Sequence, residues 1–145
     1  MKIIYRLLFG LHLFVGIGAM VGGLAAIINP EAPLGAPTAA LKNAPFSNYL
    51  IPGIILFTII GLGNIISAVI LKLSFKVKAY SSSVVGCALV IWIAVQCIML
   101  QAVVFIHVIF FLIGLIQGSL ALVILFKERL FPANIVISIY KKLSE

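Results

Sequence analysis

Six amide or imidazole side chains fall within the apolar runs of this sequence: His12, Asn64, Gln96, Gln101, His107 and Gln117. An unpaired polar group is expensive in hydrocarbon, so each is expected to face inward, toward a polar partner or a ligand. Their chemistry is hydrogen bonding and, at the two histidines, proton transfer near neutral pH. Carboxylate chemistry is missing from the same regions. The chain has no Asp, and Glu31, Glu128 and Glu145 all lie outside the apolar runs. Paired-carboxylate catalysis and carboxylate-coupled ion transport inside a membrane are thereby excluded. A metal would have to join His12 and His107, which start near opposite faces of the membrane, with no carboxylate or cysteine cluster to help. Cys87 and Cys97 are ten residues apart, about 15 Å along a helix, so they form neither a CxxC redox couple nor a disulfide with each other. No catalytic residue, metal or cofactor is expected.

The elements that must position these groups are read from composition first. The 145 residues are 64% hydrophobic and 9% charged, with a mean hydropathy of +1.34, far from the balance of a soluble domain. Four apolar runs reach the ~20 residues that a bilayer demands of a helix: 4–28, 49–71, 84–103 and 106–126. An outer loop (29–48), an inner loop (72–83) and an amphipathic tail (127–145) complete the chain. The last two runs form one unbroken tract. A single helix across it would be about twice as long as the hydrocarbon is thick, so a hairpin near Gln101–Phe105 is predicted. The fold class expected is all-α: one polytopic membrane domain, a four-helix up-down-up-down bundle. The first run is longer than the roughly 7–15 apolar residues of a secretory signal, and is read as a retained span.

Helical periodicity groups the small and polar residues into stripes. His12, Gly16, Ala19, Gly23 and Ala26 share a face of the first helix; Gly53, Phe57, Gly61, Asn64 and Ala68 share one on the second; His107, Phe110, Gly114, Gln117 and Ala121 share one on the fourth. Small residues let backbones approach where no hydrophobic effect drives helices together, and the GxxxG pairs Gly18–Gly22 and Gly114–Gly118 are read as packing within the chain. Counting about 1.5 Å per residue from the inner ends places His12, Asn64 and Gln117 roughly 10–14 Å deep. Neighbouring helices would bring the three into one hydrogen-bonded cluster, acting either as interhelical glue or as a ligand or proton site. Gln96, Gln101 and His107 lie toward the outer edge.

Orientation follows from Lys and Arg, which are retained on the cytoplasmic side. With four spans, Lys2, Arg6, Lys72, Lys76, Lys78, Lys127, Arg129, Lys141 and Lys142 fall on one side and Lys42 alone on the other. Both termini are therefore expected in the cytoplasm, in a multi-pass protein of a bacterial cytoplasmic membrane. The net charge of +7 is spread along membrane edges, where anionic headgroups attract basic residues, and no basic cluster with interleaved stacking aromatics accompanies it. The lipid bilayer is the expected partner, with a membrane protein or a second copy as further candidates, and nucleic acid is not. After Pro132, the spacing of Ile135, Val136, Ile139, Tyr140 and Leu143 predicts a short helix lying on the inner leaflet.

Residues 29–53 hold five of the six prolines. Pro30, Pro33, Pro37 and Pro45 restrict the loop backbone to extended and turn conformations, while Pro52 near a helix start costs little. Ser47 or Asn48 is placed to cap the second helix. Leu34, Leu41, Phe46 and Tyr49 are expected to fold the loop back on the helix ends, making Pro33, Pro37, Pro45, Phe46 and Tyr49 either a structural lid or a docking surface. The pattern Asn29-Pro30, Leu34-Gly35 with Pro37, Pro45-Phe46, Tyr49 and Ile51-Pro52-Gly53 resembles the first outer loop of a family of small four-span bacterial membrane proteins. That resemblance implies the topology derived above and no activity. The length, the four spans and the start Tyr5-Arg6-Leu7-Leu8 are also similar to DoxX-like proteins. Three function classes follow from the residues: a non-enzymatic accessory protein binding a membrane partner or lipid, a small oligomeric carrier or channel for an apolar or neutral solute, and a quinone- or lipid-handling enzyme subunit. A lateral opening beside His12 or His107 would favour the last, a wet cavity the second, and a dry bundle the first.

Overall fold

A computed structural model describes residues 1–73 and 77–144. Four long helices, α1 (Lys2–Ile28), α2 (Leu50–Lys72), α3 (Lys78–Leu100) and α4 (Phe105–Lys127), form an all-α up-down-up-down bundle, followed by a short α5 (Ala133–Ser144). There is no strand among the described residues. Each long helix is long and apolar enough to cross a membrane, and a belt of exposed side chains, including Phe14, Ile17, Ile59, Ile66, Val84, Ile91 and Val108, covers the outside. At about 1.5 Å per residue the helices run roughly 34–40 Å, enough for a ~30 Å hydrocarbon core.

The boundaries differ from expectation chiefly at α3, which begins at Lys78 rather than near Val84. Ser81, Ser82 and Ser83 read as loop residues because serine competes with its own backbone in helices, but all three are helical, Ser81 bonded to Ser67 and Ser82 to His12, while Ser83 Oγ is buried without a partner among the described residues. Lys76, counted with the inner-loop charges, lies outside the described residues, as does Glu145. The α3–α4 turn needs neither Gly nor Pro. Gln101 adopts a left-handed conformation (φ 49°) that ends α3, and its Nε2 donates to the Ile98 carbonyl at 2.7 Å.

Close backbone approach builds the bundle from two tight pairs, α1–α2 and α3–α4, joined along α2–α3 and α1–α4. A Cβ added at Gly23 would lie 2.6 Å from the Phe57 nitrogen, and one at Gly53 would lie 2.6 Å from the Ala26 Cβ. On the other side, a Cβ at Gly86 would lie 2.9 Å from the Gly118 nitrogen and 3.2 Å from the Gly114 carbonyl. A Cβ at Gly118 would meet nothing within 4 Å, whereas one at Gly114 would lie 2.8 Å from Val90 Cγ2, and Gly114 thus serves packing within the chain. Gly18 and Gly22 do not: their nearest contacts, 3.8 Å to Phe110 and 3.5 Å to Leu56, are ordinary ones.

Within α2, residues Leu56–Leu62 widen into a π-helical segment. Thr58 Oγ1 donates to the Ile54 carbonyl at 2.7 Å and Asn64 Nδ2 to the Ile60 carbonyl at 2.8 Å, so side chains take up carbonyls within and beside the widened turns. The core divides into two apolar clusters. One, at the end of the bundle carrying both termini, contains Leu8, Leu71, Ala79, Ile124 and Leu125; the other, toward the loop end, contains Val15, Ala19, Ile60, Leu89, Trp92 and Ile93.

The loop between α1 and α2 is knitted at Tyr49. Its N–H donates to the Pro30 carbonyl at 2.9 Å and its hydroxyl to the Pro37 carbonyl at 3.2 Å, and burial raises its phenol above the ordinary tyrosine pKa. The N-cap of α2 is Tyr49, with no side-chain cap, rather than Ser47 or Asn48; Asn48 Oδ1 instead accepts the Leu50 N–H at 3.1 Å in a local turn just before the helix. Short 3₁₀ turns at Pro33–Gly35 and Thr38–Leu41 carry the chain across α1 and α3. Pro33 and Leu41 are buried, Phe46 is half-buried, and Pro37 and Pro45 are exposed. Leu34 departs from the expected packing: it is left-handed (φ 50°) and 84% exposed. At the other end, α5 is anchored through buried Ala133 and the Tyr80 hydroxyl, which donates to the Phe131 carbonyl at 2.7 Å; Ile135, Val136, Ile139, Tyr140 and Leu143 stand exposed.

Candidate functional site

Between the two apolar clusters every long helix contributes one side chain to a single polar knot. These are His12 of α1, Asn64 of α2, Ser82 of α3 and Gln117 of α4, all with no solvent exposure. Asn64 orients the rest. Because its Nδ2 donates to Ile60, its Oδ1 is the atom facing the ring, and it accepts from His12 Nδ1–H at 2.7 Å and from Gln117 Nε2–H at 3.1 Å. A protonated Nδ1 makes Nε2 the acceptor of the neutral imidazole, and the Ser82 hydroxyl donates to it at 2.9 Å. Gln117 Nε2 also lies 3.0 Å from His12 Nδ1, but two donors cannot bond, so that proximity adds nothing. Gln117 Oε1 is buried without a partner among the described residues. A companion link, Ser67 Oγ to Ser81 Oγ at 2.6 Å, ties α2 to α3.

Ser82, His12 and Asn64 reproduce the order of nucleophile, base and orienting group found in Ser–His hydrolases. The resemblance ends at the substrate. All three side chains are sealed, and none lines the lateral cavity of the bundle, so no carbonyl can sit ~3 Å from Ser82 Oγ. The knot is a hydrogen-bonded junction of four helices. Its depth agrees with the count along α1, α2 and α4. Ser82 escapes that count because it lies only about 6 Å along α3 from Lys78, and its signal is the serine run itself.

The accessible site is elsewhere. A cavity of about 320 Å³ occupies the loop-end half of the bundle, lined by Val15, Ala19, Leu56, Ile60, Leu89 and Trp92 in its interior. Gly18 and Val21 of α1 and Ile106 of α4 also line it and are themselves exposed, so the wall is open between α1 and α4, with Leu34 of the loop above. Phe14 and Phe110 stack across the same pair of helices, centroids 5.9 Å apart. The wall is otherwise apolar; its amide and imidazole side chains are Gln96 and His107, both near the loop end. His107 Nδ1 accepts the Val104 N–H at 3.4 Å, and the ring also has the backbone of Ala102 as a hydrogen-bond partner. Trp92 Nε1 is buried with no partner among the described residues.

The expected site residues therefore separate into groups. His12, Asn64 and Gln117 come together in the knot; Gln96 and His107 come together at the cavity; Gln101 is exposed and bonded to its own helix, away from both. Of the loop, Leu34 alone lines the cavity, while Pro45 and Phe46 edge a separate open depression. Nothing in the sequence marks Trp92, Gly18 and Gly22 as cavity residues, because a void is defined by what neighbouring helices leave unfilled. No protein-family model, curated protein or solved structure matches the chain.

Proposed function

We propose that this chain is a non-enzymatic binding protein of a bacterial cytoplasmic membrane, both termini cytoplasmic, that takes an apolar lipid-phase ligand into the cavity between α1 and α4. The observation that carries this reading is the cavity itself: about 320 Å³, walled by all four long helices and open sideways on the apolar outer surface. Its size is at the lower end of the ~300–1,000 Å³ typical of small-molecule sites. Gln96 at the loop end, with His107 beside it, supplies the polar contact for the ligand's head, which points a hydrocarbon chain toward Val15 and Leu89. The opening beside His107 also favours a second reading, a subunit handling a quinone or lipid for a partner enzyme.

Gly18→Leu tests the reading. A Cβ added at this position meets only Phe110 at 3.8 Å, so the new side chain enters the cavity without disturbing the α1–α2 contact. Native mass spectrometry of protein extracted in mild detergent should find a small apolar molecule on the wild type and not on the variant, with thermal stability equal or higher. Equal occupancy in both proteins would overturn the reading. Capture of a quinone together with a second protein subunit would support the second reading.

A further inference from the structure

The end of the bundle that carries the termini holds a second concavity, of about 180 Å³, between the start of α1 and the end of α2. Tyr5, Arg6, Phe9, Leu71 and Lys72 line it. We propose that it binds a phosphate group, supplied by the headgroup of an anionic phospholipid. The site lies in the opposite half of the molecule from the lateral cavity and does not depend on that cavity's ligand.

Charge is the first argument. Arg6 and Lys72 both line one small, otherwise apolar concavity, and among the described residues neither is ion-paired with a carboxylate. The nearby Glu128 accepts the Tyr5 hydroxyl at 2.5 Å. The positive end of α1 and the negative end of α2 both abut the concavity and offset one another, so the side-chain charges set the field, and the Arg6 fork matches two phosphate oxygens at once.

Positioning is the second. Lys72 Nζ sits 4.5 Å from the Phe9 ring centroid, and Lys78 Nζ sits 5.4 Å from that of Tyr5. Ring faces hold the ammonium groups in place without neutralising them.

The shape of the walls selects a lipid over soluble phosphate. Phe9 and buried Leu71 give the concavity an apolar side, and Ile3 and Leu7 beside it on α1 are exposed on the apolar outer surface. A phosphodiester seated between Arg6 and Lys72 therefore has a path for its acyl chains down the helices. The volume is below the ~300 Å³ of ordinary small-molecule sites, sized for a headgroup phosphate rather than a whole metabolite.

The test uses the full chain in nanodiscs of phosphatidylcholine with or without a minor fraction of phosphatidylglycerol. Native mass spectrometry reads which lipid is retained, and thermal unfolding reads stabilisation. The wild type should retain phosphatidylglycerol preferentially. Arg6→Gln and Lys72→Gln should each reduce that preference about fivefold and the double variant about 25-fold, while Lys42→Gln at the opposite end leaves it unchanged. Unaltered helicity of the double variant in phosphatidylcholine shows that its fold is intact. Stabilisation by inorganic phosphate in phosphatidylcholine, lost in the double variant, would retain the phosphate site but assign it to soluble phosphate. Absence of any preference in the wild type, or an undiminished preference in the folded double variant, would overturn the proposal.

Discussion

Asn64→Leu keeps a side chain of similar size while deleting three hydrogen bonds: from His12 Nδ1–H, from Gln117 Nε2–H and to the Ile60 carbonyl. At the ~0.6 kcal/mol average of interhelical hydrogen bonds in membranes, three bonds give a loss of about 2 kcal/mol. The other bound comes from desolvation. Two buried donors left without an acceptor, at ~1–3 kcal/mol each, raise the loss to at most about 6 kcal/mol. Ser82→Ala removes one bond, at the edge of the knot, and is expected to cost about 1 kcal/mol. Gln117→Met removes one donor together with the unpartnered Oε1, so loss and relief partly cancel and the change is smaller still. Reversible unfolding in bicelles, followed by steric trapping or by titration with a denaturing detergent, measures all three. The expected order of destabilisation is Asn64→Leu, then Ser82→Ala, then Gln117→Met. An Asn64→Leu loss no larger than that of Ser82→Ala would refute the assignment of Asn64 as the organiser of the knot.

Gly23→Ala should destabilise by about 1–3 kcal/mol, because its Cβ would meet backbone atoms at 2.6–2.8 Å, whereas Gly118→Ala meets nothing within 4 Å and should be neutral or stabilising in the same unfolding assay. Tyr49 ties the loop with its protonated hydroxyl, and its folded pKa lies above the unfolded value. Its contribution is therefore complete below the ordinary tyrosine pKa and lost as pH rises through the raised folded value; Tyr49→Phe should remove that alkaline step from a plot of thermal stability against pH. In a background with Cys87 and Cys97 replaced by Ala, Lys42→Cys should react with an impermeant thiol reagent on intact cells and Lys78→Cys should not. The reverse labelling would invert the orientation.

The spans were legible because a bilayer imposes length and apolarity on every helix, so four runs and a missing turn could be counted directly. Depth counting also reached His12, Asn64 and Gln117, since α1, α2 and α4 run most of the bundle's length in near register. The same logic failed at Ser82. Three consecutive serines look like loop when propensity is weighed alone, and the partners of two of them, His12 for Ser82 and Ser67 for Ser81, come from other helices. The π segment at Leu56–Leu62 has no local signature beyond Thr58, and within it Gly61 packs closely against Met20 of another helix. Gly18 and Gly22 illustrate the limit of motif reading. Their GxxxG spacing suggests contact, yet the close approach uses Gly16 and Gly23 instead, and Gly18 and Gly22 help enclose a cavity that no spacing could disclose.

Trp92 is the chain's single tryptophan, and it lines the lateral cavity, so its fluorescence reports directly on occupancy. Delipidated protein in neutral nanodiscs should be titrated with a fatty acid brominated along its chain, using wild type and Gly18→Leu in parallel. Entry of the chain between α1 and α4 predicts saturable quenching of Trp92 in the wild type and its loss in the variant. Quenching that rises linearly with bulk bromolipid, and equally in both proteins, would contradict a ligand site in the cavity.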